Sequence, residues 1–293
     1  MPELPEVESV RRELAPILEG SHVARVLLRR SNLRRPFPLE FDRRITGTTV
    51  LRLTRRAKYL LADLSSRDTL IMHLGMSGSF RVEPSDHVPE SHDHVVFDLS
   101  SGRAVVFNDP RRFGVMDLVR TADLARSAAV AGLGPEPLSA EFDAAALAGA
   151  CARSRRPIKV ALLDQSVVAG IGNIYASEAL HVARLSPRLP AKAIATAGGT
   201  PKPAARRLAA AIKTVLLRAI NQLASARRRA SARNGDDAQR FRVYGHAGGR
   251  CPRRGCRGRI RRIAQAGRAT FYCPVCQPAS AKASARQAVY RRR

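Results

Sequence analysis

The sequence predicts an α+β protein of several domains: an antiparallel β-sandwich or barrel, then a helical region, then a small cysteine-containing module. Three observations support this prediction: eight short β-rich runs between residues 23 and 119, helical patterns from residue 139 onward, and four paired cysteines near the C-terminus. Short strands separated by regular turn signals are typical of antiparallel sandwiches and barrels. The chain has 293 residues, which is enough to bury a sizeable core in more than one domain.

The N-terminal region is predicted to begin with a helix over residues 2–20, which Gly20 closes and which has apolar residues along one face. Turn residues such as Ser101-Gly102 separate the β-rich runs that follow. The predicted strands are 23–28, 48–53, 58–64, 69–73, 79–82, 94–99, 104–108 and 115–119. Together these elements form the predicted N-terminal domain, residues 1–134.

The pattern becomes helical after Gly134-Pro135-Glu136-Pro137, a segment that indicates a domain boundary. The predicted helices are 139–152, 157–168, 174–183 and 203–224. Residues 225–240 are rich in Arg, Ser and Ala and are predicted to form a mobile loop. The remaining predicted boundaries are a helical domain over 135–240, the cysteine module over 241–277 and a basic disordered tail over 278–293.

The charge balance indicates a polyanionic partner. The chain has 51 basic and 24 acidic residues, a net charge of +27, and only six of the basic residues are lysines. Such an excess favours nucleic acid or an anionic membrane surface as the partner, and the planar guanidinium of arginine suits phosphate. No apolar run is long enough to span a membrane and the N-terminus lacks a secretory pattern, so we expect a cytoplasmic protein without a membrane partner.

Four of the five cysteines form two close pairs. Their spacing is Cys251-x4-Cys256-x16-Cys273-x2-Cys276. Paired cysteines joined by a short ribbon are typical of a closed tetrahedral zinc site, and disulfides are disfavoured in the cytoplasm. The sequence therefore predicts one structural Zn²⁺, which supplies most of the folding free energy of this small module.

The N-terminus offers a nucleophile if Met1 is removed. Pro2 would then present a free secondary amine with a carboxylate, Glu3, on the next residue. An amine of this kind can attack an electrophilic carbon and form an iminium, and a terminal amine is neutral more often at pH 7 than a lysine is. The alternative is structural, because prolines and acids are also typical of the first turn of a helix.

Several segments, in order along nearly the whole chain, resemble the formamidopyrimidine-DNA glycosylase family. The segments are residues 2–8 (PELPEVE), 56–61 (RAKYLL), 73–78 (HLGMSG), 92–94 (HDH), 109–114 (DPRRFG), 134–138 (GPEPL), 170–178 (GIGNIYASE) and 268–273 (RATFYC). The resemblance implies an N-terminal β-sandwich, a helix–two-turn–helix domain and a C-terminal zinc finger. It also implies a bifunctional glycosylase and AP lyase of base excision repair. Such an enzyme acts on double-stranded DNA with damaged bases or abasic sites and excises oxidised purines such as 8-oxoguanine and formamidopyrimidines. We also expect the protein to be a monomer.

The resemblance further implies which residues act. The catalytic set is Pro2, Glu3, Lys58 and Arg268. The DNA-binding set is His92, Arg111, Arg155, Asn173, Met76 and Phe113. Within the second set, Met76, Arg111 and Phe113 match residues that fill the gap left by an extruded base. The implied chemistry is an N-terminal proline Schiff base followed by β- and δ-elimination.

Three other hypotheses stay open at this stage. Residues 225–240 differ from the family pattern, which favours an enzyme with altered lesion preference or mainly AP lyase activity. A non-catalytic protein that binds damaged DNA would share the charge and the zinc site. An RNA-associated zinc-ribbon protein is favoured by the charge alone.

Overall fold

The structure, a computed structural model, describes residues 1–230 and 241–279, so the predicted tail beyond residue 279 lies outside the described residues. The chain divides into two compact units. We call Met1–Gly132 the N-terminal unit and the unit that begins at Leu133 the C-terminal unit. The finer boundaries predicted from the sequence stay a prediction.

The N-terminal unit begins with helix α1, Leu4–Leu18, close to the predicted bounds. Glu3 precedes it in an extended conformation and forms a capping box with Glu6. In this arrangement the Glu6 carboxylate accepts the Glu3 backbone N–H at 2.8 Å. The box satisfies donors that the first turn of a helix leaves free, which explains why the helix begins at this point.

Eight strands follow, each at a predicted position with ends that differ by a few residues. They are β1 (Val23–Leu28), β2 (Val50–Arg56), β3 (Tyr59–Leu64), β4 (Asp68–His73), β5 (Ser79–Pro84), β6 (Asp93–Leu99), β7 (Arg103–Asn108) and β8 (Val115–Arg120). They form two four-stranded antiparallel sheets in the orders β1-β6-β7-β5 and β2-β3-β4-β8. One buried cluster takes side chains from both sheets, including Phe97 and Phe107 from the first and Leu60 and Met72 from the second. The predicted β-sandwich is therefore confirmed.

Two short elements of this unit were not predicted, one of them a 3₁₀ helix over Thr121–Arg126 after β8. Helix α2, Phe41–Ile45, lies between β1 and β2, and both of its terminal residues are buried in the same cluster. The helix has only five residues, too few to show a helical period in the sequence.

The C-terminal unit is helical, with a hairpin near its end. Its elements within the described residues are α3 (Ala144–Cys151), α4 (Ile158–Leu162), α5 (Asn173–Ala183), α6 (Pro203–Ala230), β9 (Arg261–Gln265) and β10 (Arg268–Tyr272), with a short 3₁₀ helix at Ala191–Ile194 between α5 and α6. The prediction of a loop from residue 225 was wrong for its first part, because α6 continues to Ala230. Alanine and arginine favour the helix strongly, so no breaker interrupts it there. Residues 231–240 of that predicted loop lie outside the described residues.

Two predicted helices are shorter than expected. The prediction over 139–152 is helical only at Ala144–Cys151, where Asp143 caps the first turn by accepting the Ala146 N–H at 2.8 Å. The prediction over 157–168 is helical only at Ile158–Leu162. Within the two described stretches, no helix is both long and apolar enough to cross a bilayer.

Candidate catalytic, nucleic-acid-binding and metal sites

Pro2 and Glu3 lie at the start of α1. Pro2 is half-buried, and the Glu3 side chain is only 2% exposed. The Glu3 carboxylate accepts the Glu6 backbone N–H as its half of the capping box, so its position is fixed by the helix itself. The positive end of the helix dipole favours carboxylates at this point. The structure thus places the Glu3 carboxylate, which the capping box fixes in position, next to the proline whose amine is the predicted nucleophile.

Lys58 lies in the tight turn between β2 and β3 and is buried, with 8% of its surface exposed. Ala57 before it adopts the left-handed conformation, at φ +53°. Such a conformation costs free energy in a residue other than glycine and is often found at functional sites. The turn therefore presents Lys58 in a defined direction instead of leaving it as a solvated surface lysine.

His73 lies on β4 opposite Tyr59, the residue after Lys58, and the two rings are 5.0 Å apart. Burial, followed by the charges of Lys58 and Arg34, lowers the pKa of His73 to about 4, so the ring is neutral at pH 7. Its Nδ1 accepts the Gly75 N–H at 2.9 Å, which places the ring proton on Nε2. His73 was not predicted as a neighbour of Lys58, because only the strand register brings the two residues together.

A charged cluster ties α1 to the Lys58 turn. The Glu8 carboxylate accepts hydrogen bonds from Arg11, Arg12 and Arg55, the last at 3.2 Å, and Arg55 also donates to the Ala57 carbonyl at 3.0 Å. Burial acts to raise the pKa of Glu8, but the hydrogen bonds from Arg11 and Arg12 and the charges of Arg11 and Arg55 outweigh it and hold the pKa below its usual range. Glu8 is therefore a permanent anion that links the two predicted catalytic segments.

The structure brings Met76, Arg111 and Phe113 together on two adjacent loops. Met76 and Phe113 are 43% and 40% exposed, and the Arg111 guanidinium lies 4.9 Å from the centre of the Phe113 ring. The loops approach so closely that a Cβ at Gly75 would lie 2.3 Å from the Phe113 carbonyl carbon. Exposed apolar side chains can enter a base stack, and an arginine beside them can donate hydrogen bonds to a base that has lost its partner.

Asp109 joins these two loops through hydrogen bonds to both of them. It is fully buried, and its Oδ1 accepts the Ser77 hydroxyl at 2.6 Å and the Arg111 N–H at 3.3 Å, while Oδ2 accepts the Gly114 N–H at 2.7 Å. One carboxylate thus bonds the loop of Met76 and both ends of the segment that contains Phe113. Asp109 is the first residue of the segment 109–114, and no role was predicted for it from the sequence.

His92 is exposed at a turn whose backbone is also fixed. It adopts the left-handed conformation, at φ +69°, and its carbonyl accepts the Asp109 N–H at 3.0 Å. Asp93 beside it is buried and accepts two hydrogen bonds from Arg81, at 2.9 and 2.6 Å, and one from Asn108 at 2.8 Å. The exposed side chain of His92, a predicted DNA contact, therefore lies on a backbone that these hydrogen bonds fix.

In the C-terminal unit, Asn173 begins helix α5 and lies at a junction of three segments. Its Oδ1 accepts a hydrogen bond from Lys159, which is fully buried. Its Nδ2 donates to the Ala269 carbonyl at 2.9 Å and to the Tyr244 hydroxyl at 3.3 Å. Lys159 was missed in the sequence, although a lone lysine within the apolar segment Ile158–Leu162 is a signal that could have found it.

The two remaining predicted site residues, Arg268 of the catalytic set and Arg155 of the DNA-binding set, are both exposed. Arg268 begins β10 and adjoins Ala269, whose carbonyl bonds Asn173, so the structure joins α5 to the hairpin that carries Arg268. Arg155 lies in the segment before α4. Their roles stay predictions.

The four paired cysteines form a metal centre. Their Sγ atoms lie within 4.8 Å of one another, with Cys251–Cys276 at 3.7 Å and Cys256–Cys273 at 3.8 Å. A tetrahedral zinc ion with bonds of about 2.3 Å to sulfur separates its ligands by about 3.8 Å, so these residues fit zinc. Burial raises the pKa of the Cys251 and Cys276 thiols, and a divalent cation is what stabilises their deprotonated form.

Glu178 on α5 anchors the segment that leads into the metal centre. Its carboxylate is 4% exposed and accepts the backbone N–H groups of Arg242, Val243 and Tyr244, at 2.9, 2.8 and 3.0 Å. These three hydrogen bonds fix the segment against the helix. Breaking them would leave the buried carboxylate without the hydrogen bonds that replace those to water.

Three family models match the chain. The formamidopyrimidine-DNA glycosylase N-terminal domain matches residues 1–116, the formamidopyrimidine-DNA glycosylase H2TH domain matches 133–230, and a zinc finger found in FPG and IleRS matches 248–279. A formamidopyrimidine-DNA glycosylase of Rhodopseudomonas palustris is 52% identical over 292 residues, which cover 94% of this chain and 100% of the relative.

Two similar solved structures contain DNA. The Lactococcus lactis formamidopyrimidine-DNA glycosylase bound to DNA with an AP site has a TM-score of 0.79 and 31% identity, covering 94% of this chain and 99% of its own. A structure of MutM in complex with DNA that contains carbocyclic 8-oxo-G has a TM-score of 0.81 and 32% identity, covering 94% and 100%. The predicted fold class, with its helix–two-turn–helix domain and zinc finger, is confirmed.

Proposed function

The chain belongs to the formamidopyrimidine-DNA glycosylase family, and on that premise we propose that the amine of Pro2 is the nucleophile of its reaction. The protein is a DNA glycosylase of base excision repair that acts on double-stranded DNA, and AP lyase activity is typical of its family. The observation that most directly supports this role of Pro2 is its position just before α1, next to Glu3, which is buried and caps the helix.

The proposed reaction begins when the damaged nucleotide leaves the base stack, because C1′ of its sugar is inaccessible within a duplex. After removal of Met1, the Pro2 nitrogen forms a bond to C1′, and the bond from C1′ to the base breaks. The electron pair of that bond departs with the base, which takes up a proton. The amine then loses its proton, its electron pair forms a C=N bond, and the bond from C1′ to the ring oxygen O4′ breaks. Glu3 moves the proton that O4′ takes up as the ring opens.

The resulting iminium makes the C2′ hydrogen acidic. Loss of that proton expels the 3′ phosphate, and a second elimination expels the 5′ phosphate. We assign Lys58 to the phosphate and to proton transfer, and Arg268 to a phosphate beside the lesion. Both are cations, and the neutral ring of His73 next to Lys58 adds no further charge to that turn. The carbon chemistry uses the amine itself as the electron sink.

The DNA contacts are proposed from the same placements. Met76 and Phe113 fill the space that the extruded base leaves, and Arg111 bonds the base opposite it. His92, Arg155 and Asn173 contact phosphate. The side chains of Met76, Arg111 and Phe113 are exposed, which supports their roles. The hydrogen bonds that fix the Asn173 side chain support its role.

We propose oxidised purines as the lesion class, since a similar solved structure contains carbocyclic 8-oxo-G. The second candidate is an enzyme with another lesion preference or mainly AP lyase activity. It is favoured by α6, which continues to Ala230 where a loop was expected. A panel of duplexes with 8-oxoguanine, formamidopyrimidine, oxidised pyrimidine or an abasic site distinguishes the two. Faster cutting at the oxidised purines than at the oxidised pyrimidine supports the first. Faster cutting at the oxidised pyrimidine, or cutting mainly at the abasic site, supports the second.

The experiment that tests catalysis itself is borohydride trapping on an 8-oxoguanine duplex. A lyase with an amine nucleophile yields a covalent protein–DNA adduct, whereas a non-catalytic binder of damaged DNA yields none. Undamaged duplex of the same sequence is the control. We further propose that the enzyme works as a monomer in the bacterial cytoplasm, since its relatives are bacterial.

A further inference from the structure

We propose that His181 donates a hydrogen bond from Nε2 to the thiolate of Cys251, and that this bond retains the zinc ion and fixes the finger to helix α5. The inference rests on the structural zinc of the family but not on the identity of the nucleophile. It assigns a positioning role to a histidine outside the ligand set.

His181 lies in the last turn of α5 and is fully buried. Its Nε2 is 3.4 Å from the Sγ of Cys251, a distance suited to a hydrogen bond to sulfur. A cysteine that binds zinc is a thiolate and has no proton to donate. The proton of this contact must therefore be on Nε2, and the sulfur accepts it.

The first cysteine pair provides a second tie to the same turn. Arg253, one of the four residues between Cys251 and Cys256, donates from Nη2 to the carbonyl of His181 at 2.8 Å and to that of Val182 at 3.4 Å. These carbonyls belong to the last turn of α5, where the N–H groups of a further helical turn are missing. The His181 carbonyl also accepts the backbone N–H of Arg184 at 3.2 Å. Four residues separate the first pair of cysteines, against two in the second pair. One of these four, Arg253, binds the metal centre to the end of the helix.

The electrostatics explain why a donor matters here. Four thiolates and one Zn²⁺ have a net charge of −2, and the centre is partly buried. A hydrogen bond to sulfur spreads this charge and makes protonation of the ligand less favourable. Gly258 supplies another such donor, because its N–H lies 3.4 Å from the Cys256 Sγ. Removing an outer partner of a metal ligand typically weakens metal affinity about 10–100-fold.

Helix α5 links His181 to Asn173, one of the predicted DNA-binding residues. His181 follows Asn173 by eight residues, a rise of about 12 Å along the helix. Asn173 at the other end bonds the hairpin that carries Arg268. The finger is therefore held at both ends of α5, once through the zinc ligand and once through the hairpin.

The test compares zinc retention in the full-length, zinc-loaded chain and its variants. His181→Leu removes the donor, and His181→Gln keeps an N–H on a side chain of similar length. His246→Gln is the matched control, since His246 is an exposed histidine of the same region. Release of zinc to an excess of chelator is followed by absorbance, and circular dichroism verifies the fold of each variant. The sulfur-to-metal charge-transfer bands of the cobalt(II) form report directly on the thiolates.

We expect His181→Leu to release zinc about 10–100-fold faster and to shift the cobalt charge-transfer bands. His181→Gln and His246→Gln should stay close to the wild type in both measurements. Wild-type release and an unchanged cobalt spectrum in His181→Leu would overturn the proposal. Equally fast release from the Leu and Gln variants with unshifted bands would also overturn it, since packing alone would then explain the loss. Borohydride trapping reports separately on Pro2.

Discussion

Arg55 and Glu8 form an ion pair, 3.2 Å between Nε and Oε2, that joins helix α1 to the end of strand β2. Arg55 also donates to the carbonyl of Ala57, the residue before Lys58. One guanidinium thus connects the helix that begins after Pro2 and Glu3 with the turn that holds Lys58. The relative position of these proposed catalytic groups depends on a pair of residues that take no part in the chemistry.

The first prediction concerns this pair. Glu8→Gln removes an anion that three arginines share, and we expect it to lower the free energy of unfolding by about 2 kcal/mol. We also expect adduct formation in the borohydride assay to slow about tenfold, because misplaced groups react more slowly. Glu40→Gln, which removes an exposed carboxylate paired with Arg43, is the control for both measurements. Wild-type trapping by Glu8→Gln would show that the pair does not position the site.

A second prediction concerns pH and His73. Its pKa is about 4 in the folded protein and about 6.5 in an unfolded chain, so the unfolded state takes up the proton first as the pH falls. The stability is therefore fully present above pH 6.5 and decreases between pH 6.5 and 4, by up to about 3 kcal/mol. His73→Gln should flatten this part of the curve, as measured by urea unfolding at several pH values. An identical pH dependence in the two proteins would contradict the account of His73.

The third prediction concerns the loops of Met76 and Phe113. Asp109→Asn replaces an acceptor of three hydrogen bonds with an amide, so the two loops should separate. We expect about tenfold weaker binding to an abasic-site duplex, about 1.4 kcal/mol, with little change on undamaged duplex. The readouts are fluorescence anisotropy and the signal of 2-aminopurine placed opposite the lesion.

Asp86→Asn, a change at an exposed aspartate of the same unit, is the matched control for this experiment. Equal losses on damaged and undamaged DNA would point to a general defect and would count against a specific role of Asp109.

The fourth prediction concerns the zinc centre. Cys273→Ala removes a fully buried ligand, and we expect the finger to lose its structure. DNA affinity should fall, and its dependence on salt should become shallower, because the eight arginines between residues 245 and 278 would lose their arrangement. Titration at several salt concentrations measures both effects. Unchanged affinity and slope would show that the finger contributes no phosphate contacts.

Local sequence patterns predicted most of the fold. All eight strands of the sandwich occur where β-rich runs alternate with turn residues, because each strand is short and its boundaries are marked by the sequence. Helix α2 and the extension of α6 to Ala230 were missed, as were the short 3₁₀ helices at Thr121–Arg126 and Ala191–Ile194. The first is too short to show a period, and the second depends on helix propensity in a segment whose charge suggested a loop.

The site was predictable only where a motif identified its residues. His73 and Lys159 were missed because their roles depend on contacts with Lys58 and Asn173, which lie on other elements. The same holds for Asp109, whose carboxylate joins two loops, and for His181, which meets a cysteine seventy residues away. A lone lysine in an apolar segment could have identified Lys159 but not its partner. Local sequence patterns do not specify such pairings; the tertiary structure does.

The most direct test of the central claim is mass spectrometry of the borohydride-reduced adduct after proteolysis. We predict that the sugar remnant is attached to the peptide that begins with Pro2, in protein from which Met1 has been removed. We also predict that protein retaining Met1 forms no adduct. An adduct on Lys58, or efficient trapping by protein that keeps Met1, would contradict the assignment of the Pro2 amine as nucleophile.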